Sequence, residues 1–156
     1  MEGKELSITL REMACSQPTP LCREWTDKWM DDSDIDTLLD KFVRGQDFCI
    51  KNGYPPLDFC RRNFSPEDLH RHHIYLDEKV DILDAESGVW IFLGECTGRV
   101  YFNGFSVGTV YVRHSSNICV HVRDMAKAFV SLYDSGDALC IGDRGTTVRL
   151  YDRRKR

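Results

Sequence analysis

Residues 100–132 read VYFNGFSVGTVYVRHSSNICVHVRDMAKAFVSL, and this stretch decides the fold. It contains a five-residue phrase that returns every ten residues: VYFNG, VYVRH, VHVRD and the start of VSLYD. Upstream, VDILD from Val80 and WIFLG from Trp90 keep the same spacing, whereas downstream LCIGD from Leu139 and VRLYD from Val148 follow at nine residues. A fixed period of this kind is typical of a chain that stacks similar units.

The first and third positions of the phrase are apolar in all eight copies, and the position between them is mostly polar. The first position holds Val80, Trp90, Val100, Val110, Val120, Val130, Leu139 and Val148, and the third holds Ile82, Phe92, Phe102, Val112, Val122, Leu132, Ile141 and Leu150. This period of two predicts a short strand with one buried face for each phrase. The fifth position is Gly, Asp or His, and we expect it to form turns, in which Asp can bond its own backbone.

Ten residues are too few for a coil of several sides, so the repeat predicts a β-solenoid with two phrases per coil, in which two parallel sheets lie face to face. The eighth position of the unit is small or aliphatic, as in Gly108, Ala128 and Ala138, which suits a tight corner. An antiparallel β-sandwich or barrel also spaces its strands at about 8 to 12 residues and is the alternative. Hairpins have no reason to keep the same columns through eight strands, which favours the solenoid.

The N-terminal part has helical patterns instead. LCREWTDKWM, residues 21–30, predicts a short helix; a longer one is predicted from Ile35 to Ile50, after the acidic capping segment DDSDID and before Gly53. Residues 57–64 predict another helical turn or two, and Ser65 followed by Pro66 begins a last helix.

The predicted organisation is therefore α+β. Residues 1–78 form a helical region packed as a cap, residues 79–152 form the solenoid, and residues 153–156 form a basic tail. A cap is expected because an open end of a solenoid exposes unpaired backbone groups and a hydrophobic cross-section. The tail, RRKR, would discourage growth at the other end.

Composition excludes several classes. The 21 Lys and Arg and 25 Asp and Glu give a net charge of −4, without the basic field that nonspecific nucleic-acid binding requires. Seven cysteines without a CxxC pair are expected to be reduced thiols. No apolar run predicts a membrane helix, and the first residues lack the pattern of a signal peptide, so the expected location is the cytoplasm.

Motifs for catalysis are missing. The chain has no GxSxG, GxGxxG or P-loop, and its Asp-containing turns lack the GGxGxD form of calcium-binding solenoids. His70, His72 and His73 do not share one helical face and have no evident carboxylate partner. We therefore expect no enzyme activity, no cofactor and no metal site.

Three stretches carry a resemblance: RGQDFCIKNGYPPLDF, IYLDE just before the first phrase, and VYVRHSS within the repeats. Together they resemble uncharacterised proteins of Bacteroidetes and of their phages or mobile elements, over most of the chain after DDSDID. The resemblance implies an intracellular accessory protein and brings no catalytic residues with it.

The remaining candidate site is a surface. With two phrases per coil, alternate phrases share a sheet, so one sheet presents the candidate binding residues Tyr111, Arg113, Tyr133, Arg149 and Tyr151. Tyr and Arg often anchor protein recognition. The sequence therefore predicts a monomer or small homo-oligomer that acts as a non-enzymatic protein-interaction module, such as an inhibitor or a neutralising accessory protein of a mobile element.

Two alternatives remain open. Arg113, Arg149 and the basic tail could bind nucleic acid, although nucleic acid is not the expected partner. A carbohydrate-active enzyme could use a short groove of the solenoid, with clustered acids and bases. No membrane partner is expected.

Overall fold

The computed structural model describes residues 3–18, 29–31 and 33–154. The chain divides into two compact units, Met1–His72 and His73–Arg156. The first is helical and the second is a β-solenoid, so the predicted α+β class is confirmed. Most of the predicted helix over residues 21–30 lies outside the described residues, as do Lys155 and Arg156 of the tail. Packing of the helices as a cap stays a prediction.

The helical unit contains five helices among its described residues. They are α1 (Gly3–Cys15), α2 (Ile35–Arg44), α3 (Gln46–Asn52), α4 (Leu57–Asn63) and α5 (Pro66–Arg71). The single helix predicted from Ile35 to Ile50 is wrong, because Gly45 leaves the helical conformation, with φ −97° and ψ 26°, and separates α2 from α3. The predicted starts of two helices are confirmed, since the side chains of Asp34 and Ser65 accept hydrogen bonds from backbone N–H groups of α2 and α5.

The core of the helical unit joins helices that are distant in the sequence. Leu6, Leu10, Trp29 and Leu38 pack together within it. Tyr54 belongs to the same cluster, and its hydroxyl donates to the Leu10 carbonyl at 2.9 Å. Burial raises the pKa of Tyr54.

The second unit is made of nine strands. They are β1 (Ile74–Leu76), β2 (Lys79–Ile82), β3 (Gly88–Leu93), β4 (Thr97–Phe102), β5 (Val107–Val112), β6 (Asn117–Val122), β7 (Lys127–Leu132), β8 (Asp137–Gly142) and β9 (Thr147–Asp152). Odd strands form sheet A in the order β1-β3-β5-β7-β9, and even strands form sheet B in the order β2-β4-β6-β8. All pairs are parallel, which confirms two strands per coil and excludes the antiparallel alternative. The boundary between the units falls at residue 72 rather than 78, because β1 already belongs to sheet A.

The core of the solenoid consists of the predicted apolar columns as far as β7. Val100, Val110, Val120 and Val130 from the first column are fully buried, as are the third-column residues from Phe92 to Leu132. The eighth position is also directed inward and packs tightly. A Cβ on Gly108, for example, would lie 2.2 Å from Cε1 of Phe102.

The predicted columns are wrong for the last two phrases. Cys140 pairs with Val120 and Leu150 with Val130, so the ten-residue period continues where the phrases predicted nine. The parallel hydrogen-bond ladder keeps every coil the same length. This constraint outweighs the preference of individual apolar residues for inward positions. Leu139 and Ile141 consequently face outward, and Cys140 and Gly142 take the inward positions.

The turn column carries a hydrogen-bond ladder between coils. His114, Asp124 and Asp134 all have positive φ, between 56° and 60°. Their side chains accept bonds from the backbone of the preceding coil: Gly104 N–H donates to Asp124 Oδ2 at 2.8 Å, His114 N–H to Asp134 Oδ2 at 3.1 Å, and Gly94 N–H to His114 Nδ1 at 3.0 Å. The turn role is confirmed, but these bonds join successive coils rather than the residue's own backbone.

Candidate protein-interaction surface

The outward side of sheet A, here called the A face, is built by alternation along β3, β5, β7 and β9. Parallel register aligns its side chains in rows that run across the strands. The central row is Ile91, Tyr111, Ser131 and Tyr151, and one flanking row is Val89, Thr109, Phe129 and Arg149. The other flanking row continues the register one residue past the printed pairs, because the N–H groups of Arg113, Tyr133 and Arg153 still donate to the preceding coil. It consists of Leu93, Arg113, Tyr133 and Arg153. All five predicted binding residues therefore lie on this face.

Aromatic contacts order the central part of the A face. The rings of Tyr111 and Tyr133 are stacked, with centroids 6.2 Å apart and an interplanar angle of 18°. On the last strand Tyr151 is 38% exposed. The guanidinium of Arg153 lies 5.5 Å from the centroid of the Tyr151 ring. Rigid rings with an arginine beside them recur at the centres of protein interfaces.

One end of the A face is closed to a partner. Ile91 and Leu93 are buried, and Arg113 is only 3% exposed. The expectation that Arg113 lies on an exposed docking face is therefore wrong. The repeat predicts which sheet carries Arg113, but it does not predict how deeply the side chain is buried. The accessible part of the face is formed by β7 and β9.

Arg149 is exposed on the A face but not in the predicted column. It pairs with Phe129, whereas Tyr151 pairs with Ser131. This follows from the same shift by which the ten-residue period continues to the end. Phe129 and Arg153 were missed as members of the face, although a step of twenty residues joins Phe129 to Arg149 and Tyr133 to Arg153 and would have found both.

The outward side of sheet B, here called the B face, holds a second cluster whose polar groups bind one another. Arg99 donates through Nε to Asp81 at 2.6 Å and through Nη1 to the Tyr101 hydroxyl at 3.2 Å. Arg123 lies over the same tyrosine ring at 4.5 Å. His121 meets that ring edge-on at 4.3 Å and has its Nε2 3.1 Å from Sγ of Cys119.

These contacts shift two ionisation equilibria on the B face. The hydrogen bond from Arg99 holds the pKa of Asp81 below its usual value. Desolvation, followed by the positive charges of Arg123 and Arg99, lowers the pKa of His121, and Asp143 opposes them. At neutral pH the imidazole is therefore uncharged. Cys119 lies outward beside this histidine.

The terminal strands, β8 and β9, differ from the others in what they expose. Leu139 is 61% exposed, Ile141 43% and Leu150 49%. Within the described residues, β8 pairs with β6 alone and β9 with β7 alone. One edge of each terminal strand thus carries backbone groups that no neighbouring strand binds.

Other candidate sites have simpler explanations. His72 contacts Asp36 at 2.9 Å, and His73 contacts Glu86 at 2.7 Å while its ring stacks on Trp90. Across residues 3–18, 29–31 and 33–154, no group of three or more His, Cys, Asp or Glu side chains is placed to hold a metal ion. The cavity among the helices, lined by Leu10, Phe42 and other apolar side chains, has a volume of about 30 Å³ and admits little more than a water molecule.

No protein-family model, no curated protein and no solved structure matches the chain.

Among the described residues, no helix has both the length and the apolar character needed to cross a bilayer. The six described cysteines have free thiols.

Proposed function

We propose that this chain is a non-enzymatic protein-interaction module that binds another protein through the accessible part of its A face. The observation that carries the proposal is the group of side chains on and just after β7 and β9, in which the exposed Arg149, Tyr151 and Arg153 lie on the same side of a parallel sheet as the half-buried Tyr133. Tyrosine supplies a large contact area at a modest cost in side-chain entropy, and both tyrosine and arginine are enriched among the residues that dominate binding energy.

The charge of this surface indicates the character of the partner. Arg149 and Arg153 are exposed, and none of the twelve residues in the three rows of the A face is acidic. A protein with acidic groups around an apolar patch would complement it. Electrostatic attraction of this kind increases the association rate more than the final affinity, and it weakens with salt.

The absence of carboxylates from those rows also disfavours a carbohydrate-active enzyme on this face, because glycoside hydrolysis usually requires a pair of them. Nucleic-acid binding loses two of its expected residues. Arg113 is buried, and Arg154 is held by Asp152 at 2.8 Å and approaches Asp137 at 3.6 Å. The resemblance to mobile-element proteins supports an inhibitory or neutralising role for the binding, in the cytoplasm.

A charge reversal on the A face tests the proposal. Immobilised wild-type chain, Arg149→Glu and the control Arg144→Glu would be compared for capture from native lysate treated with nuclease. Arg144 is exposed in the turn after β8, so the control makes the same charge change away from the A face. We expect a protein retained by the wild type and the control, lost with Arg149→Glu, and released by moderate salt.

A second variant separates shape from charge. Tyr133→Ser removes the ring that stacks on Tyr111 and should weaken capture of the same protein. If the wild type recovers only nucleic acid from untreated lysate, or if neither variant changes what is captured, the proposal fails.

A further inference from the structure

The terminal strands end the stack at two different heights. Successive strands alternate between the sheets, and neighbours within a sheet are about 4.8 Å apart. β9 therefore lies roughly 2.4 Å beyond β8 along the stack, half of that spacing. Any partner that closes both edges together must present two strands with the opposite offset. A single extended peptide closes only one of them.

A second copy of this chain has that offset. A two-fold axis parallel to the strands reverses the stack and exchanges the sheets, so β9 of each copy meets β8 of the other. Because the chain turns at each corner, β8 and β9 run in opposite directions, and this operation makes both new pairs antiparallel. A two-fold axis perpendicular to the sheets would instead leave the two β8 strands about 9.6 Å apart when the β9 strands pair.

The corner after β8 fixes the register of such a pair. A Cβ on Gly142 would lie 3.0 Å from Cγ2 of Val148. These two inward positions are therefore level with each other in the direction of the strands. Stepping two residues from that corner along each strand places Cys140 level with Leu150. The inward column of one copy would thus continue into that of the other, with Leu150 packed on the partner copy's Cys140.

The outward positions match in the same register. Tyr151 stands opposite Leu139 and Arg149 opposite Ile141, so the exposed apolar side chains of the terminal strands cover one another or an arginine stem. Arg153 stands opposite Asp137, an attractive pair that the symmetry makes twice. Both residues are exposed in the single chain.

We propose that the chain forms a two-fold dimer in which β9 of each copy adds antiparallel to β8 of the other, with Leu150 opposite Cys140 and Arg153 opposite Asp137. The interface is isologous and closes on itself, so it ends at two copies and does not grow into a fibre. Arg154 donates to the Gly136 carbonyl at 3.3 Å and approaches Asp137 at 3.6 Å, so it would share that carboxylate with Arg153 of the partner copy at one corner of the β8 edge. The dimer goes beyond the proposed function and does not depend on it.

A charge swap tests the register. Sedimentation equilibrium would be measured from about 1 to about 200 μM, a range that covers modest dimer affinities. We expect a wild-type dimer, dissociation constants raised about tenfold or more by Asp137→Arg and by Arg153→Asp alone, and recovery in the double variant. Circular dichroism would verify that each variant is folded. A wild type that is monomeric throughout, single variants that dimerise like the wild type, or a double variant that does not recover would each overturn the proposal.

A disulfide trap provides an independent test. Leu150→Cys, oxidised mildly at dimer concentrations, should give a cross-linked dimer through Cys140 on a non-reducing gel. Leu150→Cys combined with Cys140→Ser should not. The two positions within one chain face each other from opposite sheets, which are about 10 Å apart and too distant for a disulfide. Failure of Leu150→Cys to cross-link, or equal cross-linking without Cys140, would contradict the proposed register.

Discussion

In the middle of the stack Val120 and Val130 are fully buried, whereas Leu150, at the same position of the ten-residue unit in β9, is 49% exposed. The two regions follow one pattern of strand and turn, and differ in their neighbours. β6 and β7 have a strand on either side, while β8 and β9 each have one. Burial in a solenoid therefore comes from the next coil, and the pattern that makes a core in the middle leaves apolar side chains exposed at the end.

The largest effect expected from this contrast is on buried charge. Val120→Asp places a carboxylate between two covered coils and should lower the free energy of unfolding by about 4 kcal/mol. Leu150→Asp, at the equivalent position of β9, and Ser131→Asp, on the A face, should each cost less than about 1 kcal/mol, because water reaches both. Urea denaturation of dilute protein measures all three. Equal losses for Val120→Asp and Leu150→Asp would show that the end is as buried as the middle.

A second contrast concerns close approach of the backbone. Gly98 in β4 has φ 123°, and a Cβ there would lie 1.9 Å from the Val80 carbonyl oxygen. Gly98→Ala should therefore cost about 3 kcal/mol. Gly142→Ala in β8 would meet only side-chain atoms, Oγ1 of Thr146 at 2.6 Å and Cγ2 of Val148 at 3.0 Å, next to an exposed strand edge where they can shift, and should cost about 1 kcal/mol. Thermal unfolding compares the two, and a larger loss for Gly142→Ala would contradict the contrast.

The turn ladder gives a smaller effect. Asp124 has φ 60° and its carboxylate accepts a hydrogen bond from Gly104 of the preceding coil. Asp124→Ala should cost about 1 to 2 kcal/mol, from the lost bond and from alanine in a left-handed conformation. Arg144 occupies the same place in the last turn, where the left-handed residue is Gly145 instead. Arg144→Ala should be neutral in the same denaturation experiment, and a comparable loss there would mean that the ladder contributes nothing special.

The smallest effect is the pH dependence of the B face. His121 has a lowered pKa in the folded chain, so the unfolded chain binds its proton more readily. Stability from this group is complete above its ordinary pKa of about 6.5 and declines as the pH falls from there towards the folded value. The wild type should therefore lose slightly more stability than His121→Gln between about pH 7.5 and 5.5. Asp81, whose pKa is lowered by Arg99, acts only at more acidic pH. Parallel losses in both proteins would exclude a contribution from His121.

The sequence predicted the middle of the solenoid well and its end less well. From Val80 to Leu132 the apolar columns, the two sheets and the turn positions could be predicted because each residue repeats its environment. At β8 the apolar residues of LCIGD matched the repeated phrase best with a spacing of nine residues. The parallel hydrogen-bond ladder nevertheless keeps the spacing at ten residues, and Leu139 therefore faces outward. Within a single chain, no described strand covers the outer edges of β8 and β9, so the inward positions there need not be strongly apolar and periodicity loses its physical basis.

The site depends even more on information that a pattern lacks. The repeat placed Tyr111, Tyr133 and Tyr151 on one face, but the burial of Arg113 depends on tertiary packing. The side chain of Asp124 bonds a residue twenty positions earlier, which local turn rules do not predict. Gly45 likewise separates α2 from α3, although their apolar residues follow one helical pattern. One long helix and two short helices would both match that pattern, so the sequence does not distinguish them.

The difference between the middle and the end of the stack can be measured directly by amide hydrogen exchange followed by mass spectrometry, in dilute and in concentrated protein. We predict slow exchange for β5 to β7 at both concentrations, fast exchange for β9 in dilute protein, and protection of β9 when the protein is concentrated. Strand β9 exchanging as slowly as β7 in dilute protein would contradict the account, because the end of the stack would then already be closed.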